Sequence, residues 1–145
     1  MKRKAKILFI QKASATEYKV LLGRRISSNE SFWWIPGGSV EVGESDFEAG
    51  LRELGEELFL TYDFTKALDR FITTHTIPSV VEYKSSQAEN IIFLVPIESE
   101  SLIPVPSIKD EFEEMAWFDL VDLPKNMSRE FSYIEQQFEY AVRAV

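Results

Sequence analysis

The chain has 145 residues, no cysteine, and 24 acidic against 16 basic side chains, which give a formal net charge of −8 at pH 7. This length fits one domain with a sizeable core, so we expect residues 1–145 to form a single domain. The missing cysteine excludes disulfides and thiolate chemistry, and the acidic balance argues against a nucleic acid polymer as a partner, because its backbone is bound by a basic face.

Two strands are predicted before the first loop. Lys4 to Ile10 is apolar and extended, and Tyr18 to Arg25 predicts a strand with a buried middle. No apolar run reaches the length of a membrane span, and Ile7 to Ile10 is too short for a signal peptide, so the sequence predicts a cytoplasmic protein without membrane contact. Arg25 lies at the end of this strand, just before the loop. It is interpreted either as surface charge or as a residue that binds a phosphate or carboxylate through its guanidinium.

An aromatic pair precedes a glycine turn. Trp33 and Trp34 lead into Pro36-Gly37-Gly38, and strand alternation would send one indole into the core and the other towards a cleft. Core packing explains most such pairs, but an indole at the rim of a nucleotide site can also stack on a base.

A helix is predicted directly after this turn. Ser45 and Glu48 have the spacing of a capping box, which satisfies backbone donors at a helix start. The apolar stripe that would pack on a core consists of Phe47, Leu51, Leu54 and Leu58. Carboxylates on the other side of the helix are those of Glu53, Glu56 and Glu57. Their mutual repulsion would be relieved by a divalent cation, although glutamates on a helix face are most often only solvated.

Later segments complete the prediction. Leu68 to Ile77, Glu89 to Ile97 and Glu111 to Phe118 are predicted as strands, and Ser128 to Val142 as a terminal helix. His75 is the only histidine, and a lone histidine in a strand is a weak candidate for a general base.

The glycine turn and its helix resemble the signature of the Nudix (MutT-like) family, G-x5-E-x7-R-E-U-x-E-E-x-G-U, where U is a bulky aliphatic residue. The matching positions are Gly38, Glu44 and the run from Arg52 to Glu57. Six fixed identities in register arise by chance roughly once per ten million starting points. Phe59 departs from the family's glycine, so we expect the helix to end differently and to run on towards Thr61 or Asp63.

The resemblance implies an α/β fold, a Nudix-type α/β/α sandwich with a mixed β-sheet. It also implies metal-dependent hydrolysis of a nucleoside diphosphate linked to another group, with nucleoside triphosphates or nucleotide sugars as substrates and a possible homodimer. Two alternatives stay open: a catalytically silent Nudix-like domain that binds or regulates through a nucleotide, and an acidic interaction domain.

The resemblance also assigns roles to residues. The ligands of Mg²⁺ or Mn²⁺ would be the Gly38 carbonyl, Glu53, Glu56 and Glu57. Catalytic roles would fall to Arg52, which orients a glutamate, and to a general base that could be Glu53, Glu56 or a glutamate of the later segment. Substrate would be bound by Arg25, Trp34 and Gly37. Glu44 would fix the loop, and an extra carboxylate would come from Glu111, Glu113 or Glu114.

Overall fold

The computed structural model describes residues 1–59, 65–66, 68–69, 72, 78–97, 105–106 and 112–145. The described strands are β1 (Lys2–Lys12), β2 (Tyr18–Ser27), β3 (Glu30–Trp34), β4 (Gly37–Ser39), β5 (Leu58–Phe59), β6 (Ser79–Lys84), β7 (Ala88–Pro96), β8 (Val105–Pro106) and β9 (Phe112–Asp119). The helices whose bounds are described are α1 (Asp46–Glu57), a 3-10 helix (Arg129–Tyr133) and α2 (Glu135–Arg143). None of these helices is long and apolar enough to cross a membrane.

The main sheet is mixed and is built around β1. Its strand order is β3-β2-β1-β7-β6, with β4 paired to β1 and β9 paired to β2, while β5 and β8 form a separate pair. β1 runs parallel to β7, and the other pairings of the sheet are antiparallel. β1 therefore brings the glycine turn, the second strand and the late strand β7 together.

Alternation along β1 divides the core into two layers. Ile7 and Phe9 point to the face covered by α1, and Leu8 and Ile10 point to the opposite face, which the C-terminal segment covers through residues such as Phe138. This arrangement of helices on both faces of a mixed sheet confirms the predicted α/β fold.

The start of α1 agrees with the prediction, but its end does not. The Ser45 Oγ accepts a hydrogen bond from the Glu48 backbone N–H at 3.2 Å. The helix ends at Glu57 and passes directly into β5 (Leu58–Phe59), so the expected continuation towards Thr61 or Asp63 is wrong. Because Phe59 is extended in a strand, no left-handed glycine is needed there.

Two further segments differ from their predictions. Residues 65–66, 68–69 and 72 are helical, which contradicts a strand beginning at Leu68, and His75 lies outside the described residues. The predicted terminal helix is divided into the 3-10 helix and α2. The Ser128 side chain accepts from the Glu130 N–H and so begins the 3-10 helix before α2 starts.

Candidate active site

The predicted turn at Pro36-Gly37-Gly38, named the glycine turn here, is wrong as a turn, because Gly37–Ser39 forms the short strand β4, which pairs with β1 and contacts α1. Gly37 and Gly38 belong to β4, opposite Lys6 and Ala5. A Cβ at Gly37 would collide with the Ala5 carbonyl oxygen, and a Cβ at Gly38 would collide with the carboxylate of Glu53. Gly37 is therefore required by space, because the β1 backbone cannot give way, and Gly38 brings the turn backbone directly against a glutamate of the predicted metal site.

Glu57 joins the end of α1 to this turn. Its Oε1 accepts a hydrogen bond from the Gly37 N–H at 2.9 Å, and its Oε2 accepts one from Arg25 Nη2 at 2.9 Å. The residue is only 6% exposed. A buried carboxylate needs such partners, because an unpaired buried charge is costly. Arg25 is thus placed at the predicted site, in contact with a glutamate.

Arg52 organises the other carboxylates. It donates to both oxygens of Glu44, at 2.8 and 3.1 Å, and to the Ser39 carbonyl at 2.9 Å. Its Nη1 donates to Glu53 at 3.1 Å and to Glu56 at 3.2 Å. The hydrogen bond from Arg52 holds the pKa of the Glu44 carboxyl below its usual range. Arg52 therefore orients two predicted metal ligands while anchoring the loop.

Glu44 fixes the loop as well. Its Oε1 accepts a hydrogen bond from the Glu41 backbone N–H at 2.9 Å, in addition to the contacts with Arg52. The structure thus places Glu44 in contacts that suit the loop-structuring role assigned to it.

The side chains of the predicted metal ligands are not directed to one common position. Within the described ranges, no three acidic or histidine side chains are grouped closely enough to hold a metal ion. Glu53 and Glu56 are directed to Arg52, and Glu57 is directed to Arg25. The donor chemistry nevertheless fits a hard divalent cation, because the set is made of carboxylate oxygens beside the Gly38 backbone. Binding of a divalent cation would require these carboxylates to give up their contacts with Arg52 and Arg25.

The late glutamates are held by a neighbouring arginine. Arg24 Nε donates to Glu114 at 2.7 Å, and its Nη2 lies 3.4 Å from Glu113. A register shift in the β2–β9 pairing separates Arg24 from Arg25, whose guanidinium lies 4.4 Å from the centre of the Phe112 ring. Glu113 and Glu114 are thus paired away from Glu57, and Glu111 lies outside the described residues.

Both tryptophans are buried, which corrects the expectation that one faces a cleft. Trp33 is 9% exposed and Trp34 is 2% exposed, and they pack edge-on against Phe118 and Phe131 respectively. The cause is a segment from late in the chain that lies along β3, where the backbone N–H of Trp33 donates to the backbone carbonyl of Asn126 at 2.9 Å.

One charged residue at the site was missed from the sequence. Lys6 is only 5% exposed in the middle of β1, next to Gly37. Burial lowers the pKa of Lys6 to about 8. The available signal was a lysine inside an otherwise apolar strand, which is rare for a fully buried position.

Comparisons with known proteins extend this description. The NUDIX domain family model matches residues 2–137. The chain is 26% identical over 112 residues to an RNA pyrophosphohydrolase of Pelagibacter ubique, covering 72% of this chain and 70% of that protein. It is 29% identical over 112 residues to the m7GpppN-mRNA hydrolase of Saccharomyces cerevisiae, covering 75% of this chain but 10% of that protein. A solved Nudix hydrolase of M. smegmatis, RenU, gives a TM-score of 0.69 at 17% identity, covering 99% of this chain and 86% of that one.

These relatives correct one prediction. Excluding a nucleic acid polymer as a partner is wrong, because the similar proteins include an RNA pyrophosphohydrolase and an mRNA hydrolase. The exclusion relied on net charge, which averages over the whole chain. A protein that acts on the end of a polymer needs only a local site for that end, so an acidic total does not argue against such a substrate.

Proposed function

The chain belongs to the NUDIX domain family, whose model spans residues 2–137, and from this membership we propose its reaction. It is a Nudix hydrolase, and its proposed substrate is a nucleoside 5′-polyphosphate, either free or at the 5′ end of an RNA. The observation that carries the proposal is the joining of the glycine turn, Arg25 and the end of α1 at the Glu57 carboxylate. The whole chain is proposed to act as one domain in the cytoplasm.

Divalent cations are part of this proposal. Nudix hydrolases generally use divalent metals. Glu53, Glu56, Glu57 and the Gly38 carbonyl would hold Mg²⁺ or Mn²⁺. A bound ion would neutralise the diphosphate and lower the pKa of a water molecule that attacks phosphorus.

The chain's own residues supply the rest of the chemistry. Arg52 keeps Glu53 and Glu56 in place, so that one of these carboxylates accepts the proton of the attacking water. Arg25, once released from Glu57, has the forked guanidinium suited to a phosphate. The Gly37 N–H lies beside it, since both groups donate to the Glu57 carboxylate.

The test is a substrate panel with the purified protein. A 5′-triphosphorylated RNA oligonucleotide, free nucleoside triphosphates and nucleotide sugars are each incubated with Mg²⁺ and with Mn²⁺, and release of phosphate or pyrophosphate is measured. We expect turnover of the 5′-polyphosphates that stops on adding a chelator. Turnover that persists with a chelator would contradict metal dependence.

The same panel addresses the silent-domain alternative. If Mn²⁺ and nucleotides bind but no substrate on the panel is cleaved, the proposed reaction fails and a nucleotide-binding role is favoured. If neither Mn²⁺ nor nucleotide binds, both readings fail.

A further inference from the structure

Strand alternation places Arg25 on the face of the sheet that α1 covers. Along β2, Leu21 belongs to the core layer under α1, whereas Val20 and Leu22 belong to the opposite layer. Residues two apart in a strand share a face, so Arg25 lies on the same side as Leu21. Its Nη2 donates to Glu57 Oε2 on that side. Arg25 therefore reaches the candidate site from a strand of the sheet.

The pairing of β2 with β9 contains a bulge at Glu113. Arg24 pairs with Glu114, but Arg25 pairs with Phe112, so Glu113 is an extra residue between two consecutive pairs. Bulges are over-represented beside active sites, where they change the direction of a side chain. The bulge lies directly opposite the arginine that contacts Glu57, so its effect on the neighbouring side chains bears on the site.

The bulge changes the face on which Phe112 lies. Phe112 and Met115 are three residues apart, so a regular strand would direct them to opposite faces. Both side chains lie instead in the core layer under α1, and Phe112 is only 3% exposed. The extra residue Glu113 thus puts the Phe112 ring on the same side of the sheet as Arg25.

The Phe112 ring lies against the Arg25 guanidinium. Arg25 Cζ is 4.4 Å from the ring centre, which is within the range of a cation–π contact. A Cβ at Gly23, the preceding residue of β2 on this face, would collide with the ring, so the ring occupies space that only a glycine leaves. The Arg25 side chain is 25% exposed, and partial removal from water strengthens a cation–π contact.

Support by a ring differs from support by a hydrogen bond. The hydrogen bond to Glu57 holds Arg25 only while that carboxylate is available, and Glu57 is a proposed metal ligand. A guanidinium that lies against a ring keeps its N–H donors for other partners. The contact with Phe112 would therefore persist when Arg25 exchanges the Glu57 carboxylate for a phosphate.

We propose that Phe112 is a positioning residue, which the bulge at Glu113 brings beneath Arg25. Its ring holds the Arg25 guanidinium at the site both while Arg25 contacts Glu57 and after Glu57 has bound a metal ion. Arg25 is then already in place for the substrate phosphate. The phosphate step rests on the proposed function, whereas the dependence of Arg25 on the ring requires no turnover.

The first test is nuclear magnetic resonance of the metal-free protein. We expect the Arg25 Nε–H group, identified by its loss in Arg25→Gln, to have a heteronuclear Overhauser effect typical of an ordered side chain. Phe112→Leu, which keeps an apolar side chain without a ring, should lower this value towards that of a mobile group. The matched control is Phe118→Leu, which removes a ring of the same strand that packs on Trp33 and should leave Arg25 ordered.

A second variant displaces the ring without changing either partner. Because a Cβ at residue 23 collides with Phe112, Gly23→Ala should lower the order of the Arg25 Nε–H group as Phe112→Leu does. Circular dichroism establishes that each variant is folded. A mobile Arg25 in the unmodified protein, or an Arg25 that stays ordered in folded Phe112→Leu, would overturn the inference.

A double-mutant cycle separates positioning from general packing. On a 5′-polyphosphate substrate, Phe112→Leu should lower kcat/KM about fivefold or more. In the Arg25→Gln background it should change kcat/KM by less than about twofold, because the group that the ring positions is absent. Equal losses in both backgrounds would show a purely structural role and contradict the inference. The expected change in Arg25 order without turnover of any substrate would defeat the proposed reaction and leave the role of Phe112 standing.

Discussion

Glu57 is the residue at which the glycine turn, α1 and Arg25 meet. Glu57→Gln keeps an oxygen that can accept from the Gly37 N–H but removes the negative charge that a metal ion needs. We expect metal-dependent turnover to fall at least about 100-fold while the far-UV spectrum stays unchanged. The matched control is Glu48→Gln, since Glu48 is exposed on the same helix. Normal activity in Glu57→Gln would contradict its assignment as a ligand.

We expect Arg25 to compete with a metal ion for the Glu57 carboxylate. Because its Nη2 lies 2.9 Å from Glu57 Oε2, Arg25→Gln should leave Glu57 more available and tighten Mn²⁺ binding about tenfold. The same substitution should raise the substrate KM, since the phosphate contact proposed for Arg25 would be lost. Mn²⁺ titration followed by electron paramagnetic resonance and steady-state kinetics measure the two effects.

The adjacent arginine provides the control for this prediction. Arg24→Gln removes the same charge one residue away, where the partners are the exposed Glu113 and Glu114. It should leave Mn²⁺ affinity within about twofold. Equal changes in both variants would mean that net charge, and not the contact with Glu57, governs metal binding.

Lys6 gives the protein a stability that depends on pH in the alkaline range. Burial lowers its folded-state pKa from 10.5 to about 8. Between these values the unfolded chain binds more protons than the folded one, so stability rises with pH. The gain is at most about 3 kcal/mol. Other charged groups that act on Lys6 are Lys4, Arg25, Glu57 and Glu130.

This dependence is measured as a difference between two proteins. The free energy of unfolding of the unmodified chain, minus that of Lys6→Met, should increase between pH 8 and pH 10.5. Denaturant titrations at several pH values provide the comparison. A difference that stays constant over this range would show that Lys6 remains protonated in the folded protein.

At the scale of elements, α1 contains a glycine that packing does not require. A Cβ at Gly55 would meet nothing within 4 Å, whereas one at Gly50 would lie 3.1 Å from Ile7 Cγ1. Gly55→Ala should therefore stabilise the protein by about 0.5–1 kcal/mol, and Gly50→Ala should stabilise it less or destabilise it. Thermal melting of both variants tests the order, and a loss of stability in Gly55→Ala would contradict it.

The sequence predicted elements where local signals were strong. The spacing from Ser45 to Glu57 combined a cap, an apolar stripe and a family signature, and α1 lies there. It could not predict that both tryptophans are buried, because the covering segment at Asn126 is remote in the chain. The partners of Glu57 could not be predicted for the same reason, since Arg25 and Gly37 are remote from it in the chain and the fold of the sheet brings them into contact.

At the scale of the whole molecule, bound metal should stabilise the fold. A ligand that binds only the native state at 100 times its dissociation constant adds about 2.7 kcal/mol. We expect Mn²⁺ to raise the melting temperature of the unmodified protein and to raise that of Glu57→Gln much less. Equal shifts in the two proteins would mean that Mn²⁺ binds elsewhere on this acidic chain.

The central position of β1 in the sheet also affects the rate and the order of folding. Lys2 pairs with Ala88 and Ile10 with Pro96, so the strand that carries Lys6 cannot complete its pairing until Pro96 has left the ribosome. Such non-local pairing slows folding, because the chain entropy of closing a long loop is lost before the contacts form. The glycine turn depends on this strand as well, so catalytic competence should appear late during refolding, together with the parallel strand pair.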